Sequence, residues 1–144
     1  MEKIVLKLPH DAWHGHATET IWAEKVGQNR YRVRSVPFFA KNVSNEDIVL
    51  THREEGVTIF DQVSIRGGHS TYRLFLAAAN GLDGGDFKLL WRQLEQLGCT
   101  YERATERLLA VDVPTSNRLK QAYAILERGE SSGVWEFEEG YAAI

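Results

Sequence analysis

The chain has 144 residues, of which 43% are hydrophobic and 26% are charged, and its formal net charge is −3. This length suits one domain or two small parts that share a core, and the composition excludes a disordered or low-complexity chain. A mildly acidic protein has no general attraction for phosphate backbones, so nucleic-acid binding would need a local basic patch.

The first half of the chain is predicted to form short strands separated by turns. Apolar and polar residues alternate strictly over residues 30–34, where Tyr31 and Val33 would face a core. Pro37 has no backbone N–H, so the segment around it is predicted as a strand end or a bend. Further strands are predicted over residues 3–8, 20–25, 48–50, 57–60 and 63–65. Short strands at this spacing indicate a small antiparallel β-barrel or a curled sheet.

The second half alternates strands with helices. An apolar stripe predicts a helix over residues 87–97, with Asp86 as its N-cap and Gly98 just past its end. A second helix is predicted to begin after Pro114 and to end at Gly129. Strands are predicted over residues 71–77, 99–105, 107–113 and 134–137, with flexible turns at Asn80-Gly81 and Gly84-Gly85. The order β-α-β-β-α-β is that of a ferredoxin-like unit.

These elements together predict an α+β protein. A β-rich N-terminal part, residues 1–67, is fused to a ferredoxin-like part, residues 68–144. The first part alone would have little core. We therefore expect it to lie against one face of the ferredoxin-like sheet, so that the two parts form one compact unit.

The cysteine content and the first residues bear on the compartment. The single cysteine, Cys99, excludes an intramolecular disulfide and a metal site made of several thiolates. Charges interrupt the apolar residues of the segment 1–9, so it does not form a signal peptide. No stretch approaches the ~20 apolar residues that span a bilayer. We expect a cytosolic protein without a membrane segment.

Four short pieces, in residues 19–24, 31–40, 47–49 and 68–73, include Trp-Ala-Glu, Pro-Phe-Phe-Ala and Gly-His-Ser-Thr-x-Arg motifs. With these motifs the chain resembles an uncharacterised bacterial family that is known only as a domain of unknown function. The resemblance spans roughly residues 19–140 and transfers no activity, because the family has none established. It implies a small stand-alone bacterial protein, which is compatible with an immunity protein of a toxin system.

Gly68, Ser70, Thr71 and Arg73 form one candidate site, for an anion. Glycine lets backbone N–H groups approach a ligand, two hydroxyls add donors, and Arg73 could form a fork on a phosphate or carboxylate. The segment lacks the Lys-Ser/Thr pair of a P-loop and leads into a strand instead of a helix. The alternative is a tight turn between the two parts, with Arg73 paired to a carboxylate across the sheet.

A histidine-rich segment is the second candidate. His10, His14 and His16 lie near Asp11 and Glu19, and such residues are zinc ligands. Their spacing matches no established helix or hairpin site, and an intervening glycine indicates a mobile loop. We therefore expect a solvated loop and no metal.

Catalytic residues are not predicted. His69 and Ser70 are neighbours in a strand, so their side chains would point to opposite faces instead of forming a dyad. Cys99, just after a helix end, suits a buried thiol. We expect no enzyme activity and no cofactor.

Arg30, Arg32 and Arg34 would line one face of a strand over about 13 Å. This strip could meet RNA phosphates or an acidic partner, or it could be a solvated face paired with neighbouring carboxylates. Tyr31 falls on the opposite face, and the predicted strand over residues 107–113 has no aromatic for base stacking. We do not expect nucleic acid as the partner, and an RNA-binding module is kept as the second alternative.

The last predicted strand carries the favoured site. Glu136, Glu138 and Glu139 supply acidic charge, and Trp135 and Phe137 share one face. Exposed aromatics beside acidic charge suit a protein-binding surface. We therefore predict a non-enzymatic protein-binding protein, most concretely an immunity protein that blocks a basic toxin by occlusion. The alternatives are that these aromatics fill the core and that the protein binds an anionic small molecule as a regulatory domain.

Overall fold

The computed structural model describes residues 1–78 and 81–144. These residues contain nine strands in two sheets and two α-helices, so the predicted α+β class is confirmed. The predicted turn at Asn80 lies outside the described residues.

The first sheet contains five strands and closes into a barrel. Its strands are β1 (Glu2–Lys7), β2 (Thr18–Gly27), β3 (Arg30–Val33), β4 (Ile48–Glu54) and β5 (Val57–Ile65). Successive strands pair antiparallel, and closure comes from a parallel pairing of Val5 in β1 with Ile59 in β5. Every second residue points inward, so Ile4, Val33 and Val49 are completely buried in the barrel.

The second sheet has four antiparallel strands in the order β7-β8-β6-β9. They are β6 (Ser70–Leu76), β7 (Thr100–Arg103), β8 (Leu108–Val113) and β9 (Trp135–Tyr141), with helices α1 (Gly85–Gln96) and α2 (Leu119–Ser131). Both helices pack on one face of the sheet, where Leu74, Leu94, Leu109 and Leu126 are completely buried. Neither described helix has the length and hydropathy needed to cross a bilayer.

The start of α1 differs from the prediction, whereas its end agrees with it. The N-cap is Gly84, and Asp86 lies in the first turn, where its carboxylate is near the positive end of the helix dipole. Gly98 follows the helix with a left-handed φ of 87°, and its N–H donates to the carbonyl of Glu95 at 2.9 Å.

Helix α2 continues past Gly129, where the sequence predicted its end. Gly129 is buried in the helix, and a Cβ atom at this position would lie 2.2 Å from the ring of Trp135. The chain instead turns at Gly133, whose φ of 75° is left-handed. Gly129 is therefore required by the close approach of α2 to β9.

The connection between β3 and β4 joins the two sheets. It leaves the barrel after Val33 and lies on the face of the second sheet that the helices do not cover. The N–H of Val36 donates to the carboxylate of Glu102 in β7 at 2.5 Å, and the hydroxyl of Ser44 lies 2.7 Å from that of Thr71 in β6. This connection, which contains the Pro-Phe-Phe-Ala motif, sets the geometry of the site.

Candidate functional site

The carboxylate of Glu19 holds the Pro-Phe-Phe-Ala motif from the barrel side. It accepts hydrogen bonds from the backbone N–H groups of Phe38 at 2.6 Å, Phe39 at 3.0 Å and Ala40 at 2.8 Å. The side chain is buried within β2. A carboxylate that accepts several N–H groups fixes the backbone that supplies them.

Arg73 holds the same motif from the other side. Its guanidinium is completely buried and donates to the carbonyl oxygens of Phe38 at 2.7 Å and Ala40 at 2.5 Å. The carboxylate of Glu138 in β9 lies 3.6 Å away. Burial lowers the pKa of Arg73, while the negative charges of Glu138 and Glu19 oppose that change. Arg73 therefore links β6 to the barrel and is not free to hold a ligand from solvent.

The other predicted anion-binding residues also have partners inside the protein. The hydroxyl of Thr71 lies against Ser44, and Ser70 accepts a hydrogen bond from the N–H of Ala143 at 2.8 Å. Gly68 takes a left-handed φ of 87° just before β6. Gly68 thus makes a turn between the two sheets, whereas Ser70, Thr71 and Arg73 lie in β6, where burial directs their polar groups to protein partners.

His69, within this turn, contacts a buried carboxylate. Its Nδ1 lies 2.9 Å from both carboxylate oxygens of Asp112 in β8. Burial raises the pKa of Asp112, and the hydrogen bond with His69 partly offsets that shift. This pair places a buried carboxylate and its hydrogen-bond partner at the start of β6.

Trp135 is not a surface residue, which corrects its predicted role in partner binding. Its side chain is 1% exposed, and its Nε1–H donates to the carbonyl of Leu126 in α2 at 3.0 Å. Phe137 is partly buried beside Tyr72 and Tyr123. Both aromatics face the helices because this face of β9 covers the main core.

Glu136 and Glu138 lie on the opposite face of β9, beside different aromatics. Glu136 is directly opposite Phe75 in β6, and Trp13 from the β1–β2 loop packs on Phe75 with ring centroids 5.0 Å apart. Trp13 is 57% exposed. A shallow pocket of about 430 Å³ is lined by Trp13, Phe75, Glu136, Phe137 and Glu138. We call Trp13, Phe75, Glu136 and Glu138 the Trp13 surface.

Glu139, the third predicted acidic residue, lies away from this surface. A bulge beside Gly140 shifts the pairing of β9 with β6, and Glu139 pairs with Tyr72. It contributes to a wider groove of about 680 Å³ lined by Asn42, Tyr72, Ser116, Leu119, Lys120, Tyr123, Glu139, Tyr141, Ala142 and Ile144. The predicted acidic cluster is therefore divided between two surfaces.

The histidine segment packs two of its rings on the Pro-Phe-Phe-Ala motif, while His10, Asp11 and His16 are exposed, as expected for a solvated loop. The ring centroids of His14 and His16 lie 4.7 and 4.4 Å from that of Phe39. The backbone N–H of His16 donates to Nδ1 of His14 at 2.9 Å. Among the described residues, no group of three or more His, Cys, Asp and Glu is arranged to hold a metal ion. The same loop carries Trp13, whose ring centroid lies 6.1 Å from that of Phe39.

The predicted arginine strip is largely paired within the protein. Arg34 contacts Glu46 at 2.5 Å and Glu24 at 3.3 Å, and Arg32 lies 3.9 Å from both carboxylates. Arg30 is exposed. These ion pairs reduce the positive charge that the strip could offer to a phosphate backbone.

Sequence reasoning could not find Trp13 and Phe75 as site residues. Trp13 lies in a loop with no periodic pattern, and Phe75 lies in a strand whose neighbours across the sheet are far along the chain. The one available signal was the placement of Glu136 and Glu138 two residues apart, which puts both on one face of a strand.

Comparison with known proteins gives a family and a fold. A family described as "Domain of unknown function (DUF4265)" matches residues 19–137. No curated protein matches the chain. The chain is similar to a solved structure described as "Novel crystal structure of a hypothetical protein from Neisseria gonorrhoeae". That likeness has a TM-score of 0.83 and 20% identity, and it covers 99% of this chain and 95% of the other. It shows a shared fold and carries no activity.

Proposed function

Because the chain belongs to the DUF4265 family, whose description assigns no activity, we propose its function from its surface. The protein is a non-enzymatic protein-binding protein that holds a basic partner on the Trp13 surface. In its most specific form it is an immunity protein, and the partner is a bacterial toxin whose working surface it covers.

The exposed indole of Trp13 beside two carboxylates carries this proposal. Trp13 is 57% exposed, yet its ring packs against the rings of Phe39 and Phe75. Tryptophan is enriched among the residues that dominate binding energy, above all where its ring is held rigidly. A supported but uncovered indole is therefore suited to anchor another protein.

The acidic charge beside Trp13 favours a basic partner. Glu136 is exposed, and the side chain of Glu138 is 23% exposed next to the same pocket. Acidic groups at the rim of an interface accelerate association with a basic partner and weaken association with acidic ones. The mechanism is steric and electrostatic, and it needs no catalytic group.

We further propose a finer description of the fold that presents this surface. The order β7-β8-β6-β9 with both helices on one face supports a ferredoxin-like unit over residues 68–144. The closed five-stranded sheet supports a small barrel within residues 1–67. The Trp13 surface then lies where a barrel loop meets the sheet.

Affinity capture followed by binding measurements on variants tests the function. The protein is used as bait in a lysate of its native cell, and a captured protein is purified for calorimetry. Trp13→Ala and Glu136→Lys are expected to weaken binding at least about tenfold, because one removes the anchor and the other reverses the charge beside it. Glu127→Lys, at an exposed position of α2, is the matched control and is expected to bind within about twofold of the unchanged protein.

Two further results test the proposed immunity role and the proposed surface. The immunity role requires that the captured protein arrests growth when it is produced alone and that co-production of this protein restores growth. Binding that is unchanged by Trp13→Ala and Glu136→Lys would show that the partner uses another surface. Glu138 is left intact here, because a cation at that position would lie beside buried Arg73.

A further inference from the structure

We propose, building on the proposed function, that the shallow pocket lined by Trp13, Phe75, Glu136 and Glu138 is a binding site for the guanidinium of an arginine side chain. The arginine belongs to the basic partner and is the residue that enters the Trp13 surface. The site combines aromatic rings with two carboxylates, and each half of this combination recognises a planar cation.

The aromatic half comes from two rings set nearly at right angles. The centroids of Trp13 and Phe75 are 5.0 Å apart, and their planes meet at 79°. The negative face of an aromatic ring attracts a cation within about 6 Å, and tryptophan attracts it most strongly. The exposed indole of Trp13 can therefore receive a cation from solvent.

Two other aromatic rings of the chain, those of Trp22 and Tyr141, already hold a cation in this way. Lys3 Nζ lies 5.2 Å from the ring centroid of Trp22, and the guanidinium of Arg66 lies 3.8 Å from that of Tyr141. Over the described ranges 1–78 and 81–144, neither a lysine nor an arginine of the chain takes that position at Trp13. Of the two exposed indoles, Trp13 and Trp22, Trp13 is therefore the one that no cation of the described residues covers, and its face is open to a cation from another molecule.

The acidic half comes from β9. Glu136 and Glu138 are two residues apart on one face of the strand, so their Cα atoms are separated by about 6.6 Å. Arg73 lies 3.6 Å from Oε1 of Glu138, which is buried and accepts no hydrogen bond. This contact fixes the position of the Glu138 carboxylate beside the pocket, while Glu136 is free to close on a ligand from the exposed side.

Two features favour arginine over other ligands. A guanidinium is planar and weakly hydrated, so it can lie on a ring and donate to carboxylates at its edge at the same time, whereas an ammonium is a compact charge. A second cavity beside Trp13, of about 490 Å³, has Lys7 and Lys41 among its lining residues. Their positive charge disfavours a cation there and directs it toward the glutamates.

Titration of the full-length ¹⁵N-labelled protein with N-acetyl-arginine amide tests this site by NMR. The signal is the indole N–H of Trp13, which the variant Trp13→Phe identifies. We expect a saturable shift of this signal and at least about fivefold weaker binding of N-acetyl-citrulline amide, which has nearly the same shape without the charge. N-acetyl-lysine amide is expected to bind more weakly than the arginine probe.

Two variants connect the binding to the carboxylates. Glu136→Gln and the double variant Glu136→Gln/Glu138→Gln are expected to weaken arginine binding, the double variant more. Glu139→Gln is the matched control, because Glu139 lies on the other face of β9. Glu136 is exposed, so its single variant gives a result even where the double variant unfolds.

The outcomes separate this site from the broader proposal. Equal affinity for the arginine and citrulline probes, or for arginine and lysine, would overturn the guanidinium site. So would arginine binding that is unchanged in Glu136→Gln. None of these results alters the capture experiment, which fails on its own when Trp13→Ala and Glu136→Lys leave partner affinity unchanged.

Discussion

At the scale of single residues, buried polar groups connect the two sheets. Arg73 donates to two carbonyl oxygens of the Pro-Phe-Phe-Ala motif, and Glu19 accepts three N–H groups from it. Thr71 contacts Ser44 across the same boundary. The three longest motifs of the family resemblance thus meet in one network. A buried charge is stable only when it is paired, so each member depends on the others.

Gly140 makes room for this network. An ideal Cβ atom at Gly140 would lie 1.7 Å from Nη1 of Arg73. Gly140→Ala is therefore expected to displace the guanidinium from its carbonyl partners and to lower the free energy of unfolding by about 2–4 kcal/mol. Urea denaturation measures this loss. The control is Gly85→Ala, where the new methyl group meets no atom within 4 Å; an equal loss in both variants would contradict the assigned role of Gly140.

His52 is the residue with the clearest prediction for pH. Hydrogen bonds with Glu54 and Asp61 raise the pKa of His52 above its ordinary value of 6.5. Because the pKa of His52 is raised in the folded state, its protonated ring stabilises the fold. This contribution is fully present below pH 6.5, and it is lost as the pH rises through the higher folded-state pKa.

NMR titration of the His52 ring is expected to give a midpoint above 6.5, and Glu54→Gln is expected to lower it. Glu55→Gln, one residue further along, serves as the control and should leave the midpoint in place. A midpoint that does not respond to Glu54→Gln would show that this hydrogen bond is absent in solution.

At the scale of elements, the periodicity of the sequence was sufficient to identify most strands and both helices. Alternation placed Tyr31 and Val33 in the core, and both are buried. It also placed Trp135 and Phe137 on one face of β9. Periodicity cannot show which face of a strand is covered, because that depends on contacts with distant parts of the chain. For this reason the aromatic face was assigned to a partner, whereas the helices cover it.

The candidate site was predictable only in its acidic half. Glu136 and Glu138 were named from the sequence, and the structure places both beside a pocket. Trp13 and Phe75 are 62 residues apart along the chain, counted from their positions, and no local pattern relates a loop residue to a strand residue. For Arg73, the alternative of a carboxylate across the sheet agrees with the position of Glu138, whereas its backbone carbonyl partners leave no mark in the sequence.

The contact between α2 and β9 predicts that Gly129→Ala changes the stability in the direction opposite to the usual one for a helical glycine. Alanine in place of a helical glycine normally stabilises a protein by about 0.4–1 kcal/mol. At Gly129, however, the new Cβ would lie 2.2 Å from the Trp135 ring. Gly129→Ala is therefore expected to destabilise the protein by about 1–3 kcal/mol, because the ring must leave its site.

Urea denaturation gives the sign of this change, and the NMR signal of the Trp135 indole N–H, which donates to the carbonyl of Leu126, shows whether the ring has moved. Ala124→Gly, at an exposed position of the same helix, is the comparison and is expected to cost only the ordinary helical difference of about 1 kcal/mol. A stabilised Gly129→Ala variant would mean that β9 can move away from α2 at little cost.

At the scale of the whole molecule, we expect the network around Arg73 to make the two sheets one cooperative unit. The barrel has its own cluster of buried residues, and the helix-covered sheet has another. Between them lies a polar boundary that includes Glu19, Arg73 and the Ser44–Thr71 contact. Separating buried polar partners costs more free energy than their contact contributes, so we expect that neither sheet unfolds without destabilising the other.

Arg73→Met tests this coupling, because methionine fills part of the space, leaves two carbonyl oxygens without their donor and leaves Glu138 without the positive charge beside it. We expect a loss of about 3–5 kcal/mol in the free energy of unfolding, with a single transition retained. In native-state hydrogen exchange, protection is expected to fall by the same amount at Val33 in the barrel and at Leu109 in the second sheet. Arg30→Met, at an exposed position of β3, controls for the loss of an arginine and should leave both amides protected. If protection fell at Leu109 alone, the barrel would be stable by itself, and the Trp13 surface would then join two independent units.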